Sequence, residues 1–270
     1  MTGIDIFYSL LPLIIVNSVF ILAIIVFAFL YPKRKKSEDV LRRMHPTFVG
    51  VFQRELWYWL NQPLLALFKF LKLTPNMVTG ISLVLGFISA YCYMSGMFAL
   101  AGWILILSAT LDILDGWLAR QTGQESPEGA FFDSCVDRYS EGAVFLGITL
   151  FYAINGNIVM FGVNAAPFII AISIIALIGS QIVSYAKARG ESVGSTTNAG
   201  LMQRPERVVL LSVVSVFYPF LQLLMSHFGF NVHYPMVLVI LLMAILTNIS
   251  AAVRIIVLFK EIRRKSRQDG

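Results

Sequence analysis

The chain has 270 residues, of which 57% are hydrophobic and 13% charged, with a formal net charge of +6. That is too apolar for a soluble domain of this length and indicates a polytopic membrane protein. The two cysteines, Cys92 and Cys135, show neither CxxC nor Cys/His spacing, so no disulfide framework or zinc site follows and both read as small buried packing groups.

A membrane span takes about 20 mostly apolar residues. Taken in chain order, such stretches fall at 6–31, 77–97, 99–118, 133–154, 166–186, 207–227 and 235–257. They recur to the C-terminus, so a cleaved signal peptide does not account for them. The expected fold is all-α: a six-helix transmembrane core preceded by an extra N-terminal transmembrane helix. The expected organisation is 1–37 for that helix and its basic flank, 38–71 for an interfacial segment, 72–260 for the core and 261–270 for a basic tail. Residues 38–71 mix Arg42, Arg43, Arg54 and Lys69 with Leu, Phe and Trp, as in "FQRELWYWLNQPLLALFKFLK". They read as amphipathic helix lying in the interface, with Trp57, Tyr58 and Trp59 at headgroup depth.

Charge orients the spans. With residue 1 outside, segments 32–76, 119–132, 187–206 and 258–270 share one face, and every Lys and Arg lies in them or at the span ends beside them. The opposite connections, near 97–99, 155–165 and 228–234, carry no Lys, Arg, Asp or Glu. The positive-inside rule makes the charged face cytoplasmic, in a membrane expected to be prokaryotic. The positive charge is then a solvated inner face that attracts anionic lipid or an anionic substrate.

The chemistry concentrates in "DILDGWLARQTGQESPEGAFFDSCVD" at 112–137. Asp112 and Asp115 are three residues apart near the inner end of one span, and Asp133 and Asp137 are four apart at the start of the next. On helices each pair lies on one face, and a hairpin lets the two pairs meet. Carboxylates this close repel, and hard divalent cations with oxygen ligands, Mg²⁺ or Mn²⁺, relieve that repulsion. Two pairs suit two ions, an arrangement used in phosphoryl chemistry. Solitary acids that snorkel to water are common, but paired intramembrane acids are costly and usually functional. Gly116, Ala119 and Gly129 are small enough to admit a substrate or a helix, and Arg120 suits a phosphate.

The pattern Asp112-x2-Asp115-Gly116-x2-Ala119-Arg120-x8-Gly129-x3-Asp133-x3-Asp137 resembles the signature of the CDP-alcohol phosphotransferase family, over a core of roughly 72–260. The resemblance implies transfer of a phosphatidyl group from CDP-diacylglycerol to an alcohol with release of CMP. It implies that Asp112 and Asp133 bridge two metals, that Asp115 binds one and Asp137 the other, and that Asp137 is also the general base. "LTPNMVTG" resembles the family's entry into its first core span, so Asn76, Met77, Val78 and Thr79 would line the nucleotide pocket. Gly116, Ala119, Arg120, Ser126 and Gly129 would complete the CDP-diacylglycerol site. A homodimer is implied by the family alone.

The acceptor side rests on "SYAKARGES", "MQRPERVVLL" and "SAAVRIIVLFK", which bring Lys187, Arg189, Arg204, Arg207 and Arg254 to the inner face. Ordinary snorkelling competes with an anion pocket for an already phosphorylated acceptor. "FFDSCVDRYSEG" with "RPER" looks most like the inositol-phosphate-using branch, with Arg138 where the glycerol-phosphate branch carries lysine. By that resemblance Lys187, Arg207 and Arg254 would hold the phosphate of myo-inositol 1-phosphate; Arg204 is the weakest candidate, since pairing with Glu206 or capping a helix accounts for it equally. Glycerol 3-phosphate, free inositol and serine are the alternative acceptors.

Competing classes fit less well. An intramembrane prenyltransferase needs a second aspartate motif far downstream, and a divalent-cation transporter needs acids in several spans near mid-membrane. An inactive family member would not need all four aspartates. His45, His227 and His233 fall at segment ends and form no cluster, and no P-loop, Rossmann pattern or Ser/His/Asp set is present. No nucleic-acid partner is expected.

Overall fold

The computed structural model describes residues 3–31, 48–156, 158–160, 162–195, 197, 199–200 and 202–267. Arg42, Arg43 and His45, with residues 38–47 of the expected interfacial segment, lie outside the described residues. The helices are α1 (Gly3–Leu30), α2 (Phe48–Phe70), α3 (Pro75–Met94), α4 (Phe98–Thr122), α5 (Pro127–Ile154), α6 (Ala166–Ser192), α7 (Arg204–Val216), α8 (Tyr218–His227) and α9 (Tyr234–Ser266). A short antiparallel hairpin, β1 (Val159–Met160) and β2 (Val163–Asn164), lies in the uncharged connection before α6. The chain clusters into two compact units, Met1–Ser82 with Thr110–Asp133, and Leu83–Ala109 with Ser134–Gly270.

In the first unit α1 and α2 meet through aromatic rings. The buried Phe27 ring lies 5.4 Å from Trp59 and 5.5 Å from Tyr31. One residue earlier, Tyr58 packs edge-on against Trp117 of α4 at 4.9 Å, and its hydroxyl accepts a hydrogen bond from Gln121 Nε2 at 2.8 Å. The aromatic run expected at headgroup depth therefore also packs α2 against α1 and α4. Lys72 closes α2 in a left-handed conformation (φ 54°) that usually falls to glycine. Thr74 then caps α3, its hydroxyl accepting the Met77 N–H at 3.3 Å, with Pro75 opening the helix.

The second unit has its apolar core around Tyr93, Phe98, Phe145, Ile148, Tyr152, Ile169, Met236 and Ile240. Small residues let its helices close on one another, as in membrane packing generally. A Cβ on Gly147 of α5 would sit 2.1 Å from the Ala90 carbonyl oxygen of α3. Along α6 and α9, Asn248 Nδ2 donates to the Ile175 carbonyl at 3.0 Å and Thr247 Oγ1 to that of Ala176 at 3.4 Å.

Helices α3, α4, α6 and α9 are each long and apolar enough to cross a membrane. The protein is a multi-pass membrane protein. The stretch expected as one span at 207–227 is built of two helices, α7 and α8, together long and apolar enough to cross and bent by 58° at Phe217. Pro219 supplies the cause: it has no N–H to continue the α7 ladder and opens α8 instead. Helix α5 has 28 residues but carries Asp133, Asp137, Arg138 and Glu141 in its first half, so it is not a uniformly apolar span.

Candidate active site

The first unit holds Asp112, Asp115 and Asp133. Asp112 and Asp115 come from successive turns of α4, and Asp133 from the second turn of α5. The turn between them is fixed locally: the Ser126 hydroxyl accepts the Gly129 N–H at 3.1 Å and caps α5, with Pro127 at its first position. Carboxylate oxygens of Asp112 and Asp133 approach within 4.8 Å, and Asp137 follows Asp133 one turn later along α5. All donors are carboxylate oxygens, a set that suits a hard divalent cation.

Asp115 is set apart from that cluster. It is 5% exposed, and Thr79 Oγ1 donates to its Oδ2 at 2.5 Å. Among the expected nucleotide residues, Val78 and Thr79 are buried while Asn76 and Met77 are exposed. Asn76 Oδ1 lies 3.3 Å, and Ser126 Oγ 3.2 Å, from where a Cβ on Gly129 would be. Any side chain at 129 would therefore crowd both. Arg120 folds back over Gly116, its Nη1 lying 3.5 Å from a Cβ built there. Ala119 is half-buried one turn after Asp115.

In the second unit, Asp137 is held by arginines. Arg204 Nη2 lies 2.5 Å from its Oδ1, and Arg138 Nη2 lies 3.5 Å from its Oδ2. Arg138 is steadied by the Ser184 hydroxyl and by Glu141 at 3.6 Å. Arg204, the weakest of the expected acceptor candidates, reaches the end of the aspartate motif. One turn further along both helices Arg207 forms a two-point pair with Glu141, Nε–Oε1 at 2.6 Å and Nη2–Oε2 at 3.1 Å, and donates from Nη1 to the Met202 carbonyl at 3.0 Å. A cavity of about 30 Å³ beside these residues is lined by Ser108, Ser140, Glu141, Arg204 and Arg207 with apolar neighbours.

The three cations expected to hold an acceptor phosphate differ in exposure and partners. Lys187 is half exposed and lies 3.9 Å from Glu191. Arg254 is buried, with Nε donating to the Ala199 carbonyl and Nη1 to that of Val183, both at 2.9 Å. Its Nη2 has no hydrogen-bond partner among the described residues. Arg207 and Arg254 thus both brace the connection between α6 and α7. Sequence reasoning passed over Glu141, although a charge one turn beyond Asp137 inside an apolar run was a signal. It also passed over Trp117 and Gln121, onto which Tyr58 packs α2.

Residues 72–260 match the family model for CDP-alcohol phosphatidyltransferase. The chain belongs to that family. It is 38% identical over 148 residues to the archaetidylinositol phosphate synthase of Pyrococcus horikoshii, covering 54% of this chain and 71% of the relative. It is 29% identical over 206 residues to the phosphatidylinositol phosphate synthase of Mycobacteroides abscessus, covering 76% of this chain and 86% of the relative. The crystal structure of Mycobacterium tuberculosis phosphatidylinositol phosphate synthase in complex with manganese and citrate superposes with a TM-score of 0.62 at 26% identity. That match covers 74% of this chain and 88% of that one. The same enzyme with CDP-diacylglycerol bound gives a TM-score of 0.61 at 26% identity, covering 73% and 92%. This family member therefore pairs a divalent-metal carboxylate set with a fold shared by a lipid-nucleotide enzyme.

Proposed function

We propose that this membrane phosphatidyltransferase moves the phosphatidyl group of CDP-diacylglycerol onto a hydroxyl of myo-inositol 1-phosphate and releases CMP. The carrying observation is the approach of the Asp112 and Asp133 carboxylates from α4 and α5 to within 4.8 Å, in a motif that also carries Asp115 and Asp137. Relatives named for inositol phosphate products support the choice of acceptor.

Asp112, Asp115, Asp133 and Asp137 would hold two divalent ions, Mg²⁺ or Mn²⁺. Bound there, the ions supply charge neutralisation at the reacting diphosphate. Asp137 accepts the proton of the acceptor hydroxyl. The freed oxygen bonds to the phosphorus that carries diacylglycerol, the bond from that phosphorus to the CMP oxygen breaks, and CMP leaves with the electron pair. A carboxylate beside a cation is a weak base, so Asp137 acts through placement more than through basicity.

Asn76, Met77, Val78, Thr79, Gly116, Ala119, Arg120, Ser126 and Gly129 form the nucleotide-lipid side. Lys187, Arg207 and Arg254 receive the acceptor phosphate, Arg254 through its spare Nη2 and Arg207 through N–H groups that Glu141 leaves unused. The site opens to the cytoplasmic leaflet, and the enzyme works as a homodimer in the membrane.

The test is mass identification of the lipid formed by purified protein from CDP-diacylglycerol with myo-inositol 1-phosphate, glycerol 3-phosphate, free inositol or serine. Product from inositol phosphate alone is expected. Product from an uncharged or zwitterionic acceptor would remove the anion pocket and leave the aspartate chemistry standing.

A further inference from the structure

Arg207 stands in the first turn of α7 and is 1% exposed. It lines the small cavity of the second unit together with Glu141, Val144, Phe145 and Leu211. A guanidinium buried in such company is costly unless a carboxylate meets it and its hydrogen bonds are made. Glu141 meets it from α5. Its Oε1 accepts the Nε–H at 2.6 Å and its Oε2 accepts from Nη2 at 3.1 Å, while the Met202 carbonyl accepts from Nη1 at 3.0 Å. Three of the five guanidinium N–H groups are thereby used among the described residues, and each terminal nitrogen keeps one. The carboxylate is held in turn, with Arg138 Nη1 lying 3.6 Å from its Oε2. A two-point pair of this kind sets the plane of the guanidinium as well as its position. Lys187 is the contrast: its side chain is 51% exposed, with Glu191 3.9 Å away.

We propose that Glu141 is a positioning residue for the acceptor: its two-point hold fixes the Arg207 guanidinium so that the N–H groups left over meet the acceptor phosphate. The role rests on the reading of Arg207 as an acceptor-phosphate residue. Glu141 does two things for it. It makes burial of the cation tolerable while no phosphate is bound. It also holds the guanidinium in one orientation beforehand, so that binding loses less side-chain freedom. The charge of Glu141 works in the opposite sense, because a carboxylate beside Arg207 weakens the pull of that cation on an anion. Positioning and field therefore predict opposite effects when the charge of Glu141 is removed.

The test is steady-state CMP release by the full-length protein in detergent, with CDP-diacylglycerol and myo-inositol 1-phosphate each varied. Glu141→Gln keeps the size, but its amide N–H groups face those of Arg207 and one of the two bonds is lost. It should raise KM for inositol phosphate about tenfold, with KM for CDP-diacylglycerol and kcat each within about threefold. A merely structural role would lower kcat through the active fraction and move neither KM. Glu141→Asp keeps the charge one methylene short of the two-point hold, and should raise the same KM; it serves alone if Glu141→Gln does not fold. Arg207→Gln should raise that KM at least as far, and Glu141→Gln added to it should change KM by less than about twofold. A lower KM in Glu141→Gln would mean that Glu141 acts through its field and would overturn the positioning role. So would an unchanged KM in the Glu141 variants beside a raised one in Arg207→Gln, which leaves the acceptor reading standing. An unchanged KM in Arg207→Gln, or no turnover of inositol phosphate by the unsubstituted protein, would remove the acceptor reading and this role with it.

Discussion

The short hydrogen bond from Thr79 to Asp115 shows how much of this site is set by single residues. Thr79 lies in the second turn of α3 and is buried, and Asp115 is 5% exposed. Thr79→Val keeps the shape but leaves a buried carboxylate without that donor, a loss of about 1–3 kcal/mol. We expect lower thermal stability and weaker Mn²⁺ binding, because Asp115 loses the donor that stabilises and orients its carboxylate. Melting curves and metal titration of one preparation would show both. At this scale the sequence was most readable where roles follow from local spacing: the aspartates, Gly116, Ser126 and Gly129 all lie in one short stretch. Arg204 was not readable that way. Its partner lies far away in the chain, and the local choice of Glu206 was as good on sequence grounds as the contact that forms. Asp115 shows the same limit, since nothing in its spacing indicates that Thr79 would take it.

Helices met expectation where apolar length decides and departed where backbone chemistry decides. The α7–α8 break follows from Pro219, a residue visible in the sequence but outweighed there by the apolar run around it. The closeness of α3 and α5 at Gly147 follows from missing side-chain volume, which hydropathy does not register. Gly147→Ala would push a methyl to 2.1 Å from the Ala90 carbonyl oxygen. Overpacking of that kind costs about 1–3 kcal/mol. A fall in melting temperature is expected, while Gly142→Ala on the same helix, where a Cβ meets nothing within 4 Å, should leave it nearly unchanged. The connection before α9 carries a pH-sensitive contact. His233 Nδ1 lies 3.2 Å from the Tyr218 hydroxyl, and burial holds the imidazole pKa below its ordinary value. The unfolded chain then takes up the proton more readily than the folded one. Stability from this residue is complete above about pH 6.5 and is lost as pH falls through the ordinary value toward the folded one. Melting temperatures between neutral and mildly acidic pH should fall more steeply for the unsubstituted protein than for His233→Gln.

The whole molecule joins a family core to an N-terminal addition. The family match begins at residue 72, yet Tyr58 and Trp59 tie α2 both to α4, beside the first aspartate pair, and to α1. The extra helix was legible as an apolar stretch, but its ring contacts with α2 were not, because they join distant stretches of chain. The account stands or falls on one activity. It is most directly tested by CMP release from CDP-diacylglycerol, with and without myo-inositol 1-phosphate, by the purified protein, by the protein after chelation and by Asp137→Asn. Release that requires the acceptor, stops on chelation, returns with Mg²⁺ and falls about 100-fold or more in Asp137→Asn is the expected result. Full release by Asp137→Asn, or undiminished release after chelation, would contradict it.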